Sequence, residues 1–163
     1  MERRLIETCN GPLQISFNQS GLFELNLPGN LRQNGEMPTA VGDPEWVWRL
    51  ADELKYYFKG LPVSFSCPLD FSGYTPFFRR ILLAAAEIPY GERRPYRWLA
   101  EQAGSPGAAR AAGQAMAANR TPLVIPCHRV VRSDGVIGGF SGGPGWKERL
   151  LNLETAGRTY KND

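Results

Sequence analysis

The chain has 163 residues, of which 42% are hydrophobic and 21% are charged. This length fits one domain, or a small domain joined to a second one, and the hydrophobic content is sufficient for a packed core. Its three cysteines (Cys9, Cys67, Cys127) form no C-x-x-C pair, and there is a single histidine. We therefore expect no zinc site, and nothing indicates a secreted disulfide scaffold.

The charge is divided unevenly along the chain. Residues 1–75 carry 6 Lys/Arg and 9 Asp/Glu, whereas residues 76–163 carry 13 Lys/Arg and 7 Asp/Glu, and the net charge is +3. A basic second half favours contact with a polyanion, although a basic surface without a partner is an equal alternative on charge alone. No stretch approaches the ~20 apolar residues of a membrane helix, and no signal-like run follows the N-terminus. We expect a soluble, cytoplasmic protein without membrane contact.

The first 60 residues predict a small sheet covered by one helix. Alternating apolar residues indicate strands over 3–8, 12–18 and 21–27. A Gly-, Pro- and Asn-rich loop over 28–43 follows, and Asp43 is the expected N-cap of a helix that starts at Pro44 and stops at Gly60. The apolar side of this helix is formed by Trp46, Val47, Leu50, Leu54 and Phe58. Residues 61–75 are read as a further strand and a linker.

The pattern becomes helical from Thr75, a candidate cap followed by Pro76 at the first helical position. Two shorter helices are expected over about 95–103 and 105–118, with Gly104 between them. A helix, a short turn and a second helix form the helix-turn-helix pattern, although short helical hairpins are also ordinary core parts.

The second of these helices is composed mostly of Ala and Gly, with Arg110 as its one long cation. Small residues let a helix backbone approach closely, which suits the narrow minor groove of DNA and leaves Arg110 free to enter the base stack. The alternative is a tightly packed Ala-rich helix whose Arg is merely exposed.

The most distinctive stretch places Cys127 next to His128, between apolar residues on both sides. A buried, inert cysteine is the simpler interpretation, because free Cys often serves as a small core residue. Neighbouring side chains in an extended segment point to opposite faces, which disfavours a direct protease-like dyad. A water or a local bend could connect the two, and Glu148 is our candidate for orienting the imidazole in a Cys–His–Glu relay that favours the thiolate.

A Gly-rich segment over 138–143 follows this pair. It lacks the Lys-Ser/Thr ending of a P-loop and the G-x-G-x-x-G register. A pocket wall that offers backbone donors to a flat ligand fits it better than a phosphate loop.

These motifs resemble the O6-alkylguanine-DNA alkyltransferases, the methylated-DNA–protein-cysteine methyltransferases. The resemblance is dense over residues 75–155 and only architectural over 1–74. It is carried by Thr75-Pro76-Phe77, Ile88-Pro89-Tyr90-Gly91, Tyr96, Leu99-Ala100, Ala109-Arg110-Ala111, Asn119, Pro126-Cys127-His128-Arg129-Val130, Phe140-Ser141-Gly142-Gly143 and Lys147-Glu148.

The resemblance implies a fold of two parts. Residues 1–74 would form an α/β structural domain with a small antiparallel sheet, similar to ribonuclease H, and residues 75–163 a mostly α domain with a helix-turn-helix that binds DNA and transfers the alkyl group. The partner would be double-stranded DNA carrying O6-alkylguanine, with O4-alkylthymine as a second candidate lesion. The protein would act as a monomer.

The resemblance also implies roles for individual residues. Cys127 would be the nucleophile, activated by His128 through a water and by Glu148. Asn119 would tie this segment to the helix-turn-helix, and Tyr96 would assist the leaving guanine. The remaining residues assigned to the substrate pocket and the DNA surface are Arg110, which would replace the flipped nucleotide, Ala109, Gly113, Met116, Pro122, Arg129, Val130, Phe140 and Ser141.

This chemistry requires a soft nucleophile and assistance to the leaving oxygen, and it requires neither a metal nor a nucleotide cofactor. The target atom is inaccessible within a duplex, so the nucleotide must be flipped out. Since no second thiol is placed to reverse the transfer, each molecule would act once.

The sequence departs from the family at Phe140, where many members have Tyr, at Pro95, where a Ser or Thr cap is frequent, and at Arg120, where Pro is common. Two other functions stay open at this point. One is a protein that binds alkylated DNA without repairing it, or a regulatory DNA-binding protein, which the presence of Cys127 disfavours. The other is a cysteine hydrolase, which the lone adjacent histidine disfavours.

Overall fold

The computed structural model describes residues 1–32, 38–134 and 142–162, with side chains up to Gly157. Three antiparallel strands open the chain in the order β1 (Glu2–Thr8), β2 (Gly11–Asn18) and β3 (Gly21–Asn26). Their register pairs Ile6 with Leu13 and Ile15 with Leu25, so apolar residues meet on one face. The three strands expected from alternation are confirmed within one residue at each end: β1 and β2 begin one residue earlier, and β3 ends one residue earlier.

Helix α1 (Glu45–Phe58) covers this sheet. It buries Val47, Leu50 and Leu54, as its apolar periodicity predicted. Asp43 does not cap it, because the Asp43 carboxylate forms two bonds of 2.7 and 2.8 Å to the guanidinium of Arg4 on β1. Arg4 on β1 thus binds the carboxylate that was expected to cap α1.

The strand expected within residues 61–75 does not form. This segment makes a single bridge to β3, through bonds of 2.8 Å from Leu22 N to the Pro68 carbonyl and from Asp70 N to the Leu22 carbonyl. Pro62 and Pro68 have no N–H to extend a ladder, which explains the limited pairing.

The second half begins with α2 (Pro76–Ala86), whose N-cap Thr75 accepts a bond from Phe78 N as expected. Helices α3 (Tyr96–Gln102) and α4 (Ala109–Ala117) follow and pack against each other and against α2. Gly104 connects them with φ +78°, a conformation that glycine adopts without strain. Helix α4 starts later than the sequence suggested, because Gly107 at φ +89° interrupts the turn that follows Ser105.

Two short strands were not predicted from the sequence. The two-residue strands β4 (Arg94–Pro95) and β5 (Val130–Val131) pair in parallel and connect the start of α3 to the segment that contains Cys127. The last helix, α5 (Trp146–Asn162), packs along the same segment. No helix within the described residues is long and apolar enough to span a bilayer.

Two apolar cores result. The first joins the sheet and α1 with Leu123, Trp146 and Leu150, and the second lies among α2, α3, α4 and the residues around Cys127. We propose a domain boundary between residues 74 and 75, with α5 returning to complete the first core.

Candidate active site

The site is built on a single 3-10 turn, Cys127–Arg129, between Pro126 and β5. Backbone bonds of 2.8 Å from Cys127 N to the Ile125 carbonyl and 2.9 Å from Arg129 N to the Pro126 carbonyl close this segment. Cys127 is 3% exposed and His128 is fully buried. Side chains one residue apart in a 3-10 turn diverge by about 120°, so Cys127 and His128 still point in different directions.

His128 is oriented by Glu154 on α5, and the prediction of Glu148 is wrong. The Nε2 atom of His128 bonds to Oε2 of Glu154, whereas Glu148 is exposed on another side of the same helix. A carboxylate only accepts, so Nε2 carries the proton and the lone pair of the neutral ring lies on Nδ1.

Glu154 is the centre of a buried network. Its Oε1 accepts from Arg129 Nε at 2.8 Å and Gly91 N at 3.0 Å, and its Oε2 accepts from the Tyr57 hydroxyl at 2.5 Å and Arg129 Nη2 at 3.2 Å. With His128, five donor contacts reach one carboxylate that is 1% exposed. The site therefore holds its negative charge in a fixed orientation away from water.

The titration behaviour of the pair follows from this network. Burial would raise the pKa of Glu154, but the hydrogen bonds from His128 and Arg129 and the charge of Arg129 outweigh it and hold the pKa at about 2. Burial lowers the pKa of His128 more than Glu154 raises it. At neutral pH the network thus contains an ionised Glu154 and a neutral His128 that can act as a base.

Arg129, which the resemblance assigned to the substrate pocket and DNA surface, belongs instead to this buried network. It is 6% exposed, and its Nη1 donates to the Ile88 carbonyl at 2.7 Å in addition to its bonds to Glu154. Its charge is compensated internally, so it is not available to a phosphate.

Asn119 lies between the end of α4 and the Cys127 segment. Its Nδ2 donates to the Ile125 carbonyl at 3.0 Å, and its Oδ1 accepts from Thr121 N at 3.1 Å. Leu123, within this loop, has φ +74°, an uncommon conformation for a residue other than glycine. This tight turn leads the chain from the end of α4 to the segment that contains Cys127.

Tyr96 begins α3 and is half-buried. Burial, followed by the charge of Cys127, raises the pKa of its phenol, so Tyr96 is a protonated donor near the thiol. Lys147 was given no role by the sequence. It is 3% exposed, donates to the Val130 carbonyl at 2.6 Å and lies 5.8 Å from the Tyr96 ring centre.

The face of α4 lies beside Tyr96. A groove there is lined by Tyr96, Ala109, Arg110 and Gly113 together with Arg97 and the turn 132–134. Arg110 is exposed at the start of the helix, whereas Met116 and Pro122 are buried. The expected pocket residues Phe140 and Ser141 lie outside the described residues.

Two members of this site were missed, Glu154 and Tyr57. A signal for Glu154 was present, because Leu150, Leu151 and Glu154 recur at helical spacing and a carboxylate on an apolar stripe must find a buried partner. Nothing local in the sequence indicates that Tyr57, in the first half of the chain, reaches His128. Among the described residues, no group of three or more His, Cys, Asp or Glu could hold a metal ion.

Comparison with known proteins agrees with this geometry. Residues 76–156 match the family model described as 6-O-methylguanine DNA methyltransferase, DNA binding domain. A methylated-DNA–protein-cysteine methyltransferase of Mycolicibacterium paratuberculosis is 46% identical over 157 residues, covering 94% of this chain and 92% of that protein. Its counterpart in Mycobacterium tuberculosis is 39% identical over 153 residues, covering 93% and 90%.

A solved structure extends the match to three dimensions. The crystal structure of Mycobacterium tuberculosis OGT in complex with DNA superimposes with a TM-score of 0.81 at 36% identity, covering 96% of this chain and 94% of that one. Sequence and fold agree over nearly the whole length, and the chain belongs to the methylated-DNA–protein-cysteine methyltransferases, the alkyltransferases of DNA repair.

Proposed function

We propose that this chain repairs O6-alkylguanine in duplex DNA by moving the alkyl group irreversibly to Cys127. The observation that carries the proposal is the buried contact of His128 with Glu154, directly beside the buried Cys127. A neutral imidazole held by a carboxylate is the base that a thiol requires. The related structure in complex with DNA supports DNA as the partner.

The reaction is one displacement. The Cys127 thiol gives its proton through a water to Nδ1 of His128, and the thiolate attacks the alkyl carbon. The S–C bond forms as the C–O6 bond breaks, and the electron pair leaves on guanine. Tyr96 donates to the departing base, and its raised pKa keeps the phenol protonated for this role. The thioether that remains is stable, so one molecule repairs one lesion.

The lesion must leave the duplex to reach a thiol that is 3% exposed. The α4 face, with Ala109 and Gly113, enters the minor groove, and Arg110 fills the gap that the flipped nucleotide leaves. The exposure of Arg110 at the start of α4 supports this placement. One chain acts alone on one lesion, and O4-alkylthymine is a second substrate.

Mass spectrometry of protein incubated with a duplex that carries one O6-methylguanine tests the proposal. We expect the gain of one methyl group on the peptide that contains Cys127 and none in Cys127→Ser. Cys67 is an internal control, because burial raises its pKa to about 12 and keeps it a thiol. Tight, damage-selective binding without methyl transfer would instead establish a binding or regulatory protein.

Replacing Arg110 separates nucleotide flipping in duplex DNA from the alkyl-transfer step. Arg110→Ala should keep the rate with free O6-benzylguanine and slow repair of the duplex, whereas Arg49→Ala on α1 should change neither. An equal loss on both substrates would show that Arg110 does not act in flipping.

A further inference from the structure

We propose that Tyr57 of α1 is a positioning residue for alkyl transfer, whose hydroxyl holds Glu154 in the orientation that binds His128. The inference rests on the proposed function and extends it, because it gives the N-terminal half a part in the reaction.

The geometry places Tyr57 at the junction of the relay. Its hydroxyl donates to Oε2 of Glu154 at 2.5 Å, and the same Oε2 receives Nε2 of His128. The Tyr57 oxygen also lies 3.4 Å from that Nε2. Since the phenol and the imidazole share one oxygen, a change in one bond alters the direction and strength of the other.

The Tyr57 ring is fixed in place. It is fully buried and makes edge-to-face contacts with Phe58 at 5.4 Å and Tyr90 at 6.0 Å between ring centres, with Phe65 at 6.0 Å on another side. A ring clamped in this way aims its hydroxyl at one point, so α1 delivers a preorganised donor.

The charged and titratable groups around Glu154 and His128 come from several elements. Arg129 lies on the 3-10 turn, Lys147 on α5, Tyr90 on the loop after α2 and Tyr57 on α1. Burial, followed by the charge of Glu154, raises the pKa of Tyr57 well above its usual value. Tyr57 therefore stays protonated and donates to Glu154.

The Tyr57 hydroxyl reduces the extent to which the Glu154 carboxylate stabilises a protonated His128. A hydrogen bond to Oε2 draws charge away from the side of Glu154 that faces His128, and Glu154 is the group that raises the pKa of His128. Without the hydroxyl, the pKa of His128 should rise. His128 would then be protonated, and unable to accept the thiol proton, at a higher pH than in the wild type.

Tyr57→Phe removes the hydroxyl and keeps the ring, and Tyr56→Phe, an exposed neighbour on the same helix, is the matched control. The rate constant with free O6-benzylguanine is measured from pH 5 to pH 8, so that DNA binding does not enter. For Tyr57→Phe we expect a loss of about tenfold at pH 7, the equivalent of one hydrogen bond to a charged group, and an acid limb shifted to higher pH. Tyr56→Phe should match the wild type.

An unchanged rate and acid limb in Tyr57→Phe would overturn the proposal. So would a slower rate with an unmoved acid limb, since that is the result of a purely structural loss. Neither result touches the proposed function, which fails only if wild-type Cys127 gains no methyl group from damaged DNA.

Discussion

Replacing Glu154 by Gln should cost both stability and reactivity, whereas the same change at Glu148 should cost neither. The two carboxylates lie six residues apart on α5, but one is 1% exposed and receives five donor contacts and the other faces solvent. Glu154→Gln keeps the shape of the side chain and removes the charge that balances Arg129. It also turns one acceptor into an amide donor that faces other donors.

The magnitude follows from the burial of this pair. Removing one partner of a buried ion pair costs about 3–5 kcal/mol, because the other charge stays in the interior without compensation. Domains of this size have a total stability of about 5–15 kcal/mol, so the variant should fold with a much reduced margin. Its reaction with free O6-benzylguanine should also slow by at least about tenfold, since His128 loses the carboxylate that fixes its tautomer.

Urea unfolding at pH 7 measures the first effect, and the single-turnover rate with free O6-benzylguanine measures the second. Both are compared among the wild type, Glu154→Gln and Glu148→Gln. If Glu154→Gln were as stable and as reactive as Glu148→Gln, the assignment of the relay to Glu154 would be refuted.

Three further predictions concern stability. The free energy of unfolding of the wild type should fall as pH is lowered from 6.5 towards 2. The folded-state pKa values of His128 and Glu154 both lie below their ordinary values of 6.5 and 4.5, so the unfolded chain binds more protons in this range. A flat profile by urea titration would contradict this. Gly157→Ala should cost about 1–3 kcal/mol by overpacking, since a methyl group there meets the Tyr90 hydroxyl and the Gly60 carbonyl, and an unchanged midpoint would show that α5 can shift. Arg120→Ala should cost about 2–3 kcal/mol in the same assay, because three carbonyl contacts and two ring faces lose their partner.

The strands and the start of α2 could be predicted because their signals are local. Alternating apolar residues determine which face of a strand is buried, and Thr75 followed by Pro76 provides a cap and a first turn without help from the rest of the chain. The error at Asp43 has the opposite origin. A carboxylate that can cap a helix can equally bind a cation, and only the folded chain brings Arg4 next to it.

In the site, too, the features with a local signal could be predicted, and those that depend on tertiary packing could not. The adjacency of Cys127 and His128 is visible in the sequence, but the choice between Glu148 and Glu154 depends on how α5 is rotated. Six residues turn a helix by about 240°, so the two carboxylates cannot face the same neighbour. Glu148 lies near the start of the helix, whereas the apolar stripe through Leu150 and Leu151 indicates Glu154.

Arg120 shows how a departure from the family pattern acquires a structural role. Its guanidinium lies 3.9 Å from the Phe23 ring centre and 4.2 Å from that of Tyr74, and it donates to the carbonyls of Asp70 and Ser72 at 2.8 Å. Arg120, the residue after Asn119, therefore connects this part of the chain to β3 and to the linker that precedes α2. A proline at this position could make none of these bonds.

The proposed relay beside Cys127 draws on both halves of the chain. Tyr57 comes from the first apolar core, Arg129 from the 3-10 turn beside the second, and Glu154 from the helix that closes the first. A substitution that shifts α1 within its core would move the Tyr57 hydroxyl and alter the relay. Changes in the N-terminal core should therefore lower the rate with free O6-benzylguanine before they weaken binding to undamaged DNA.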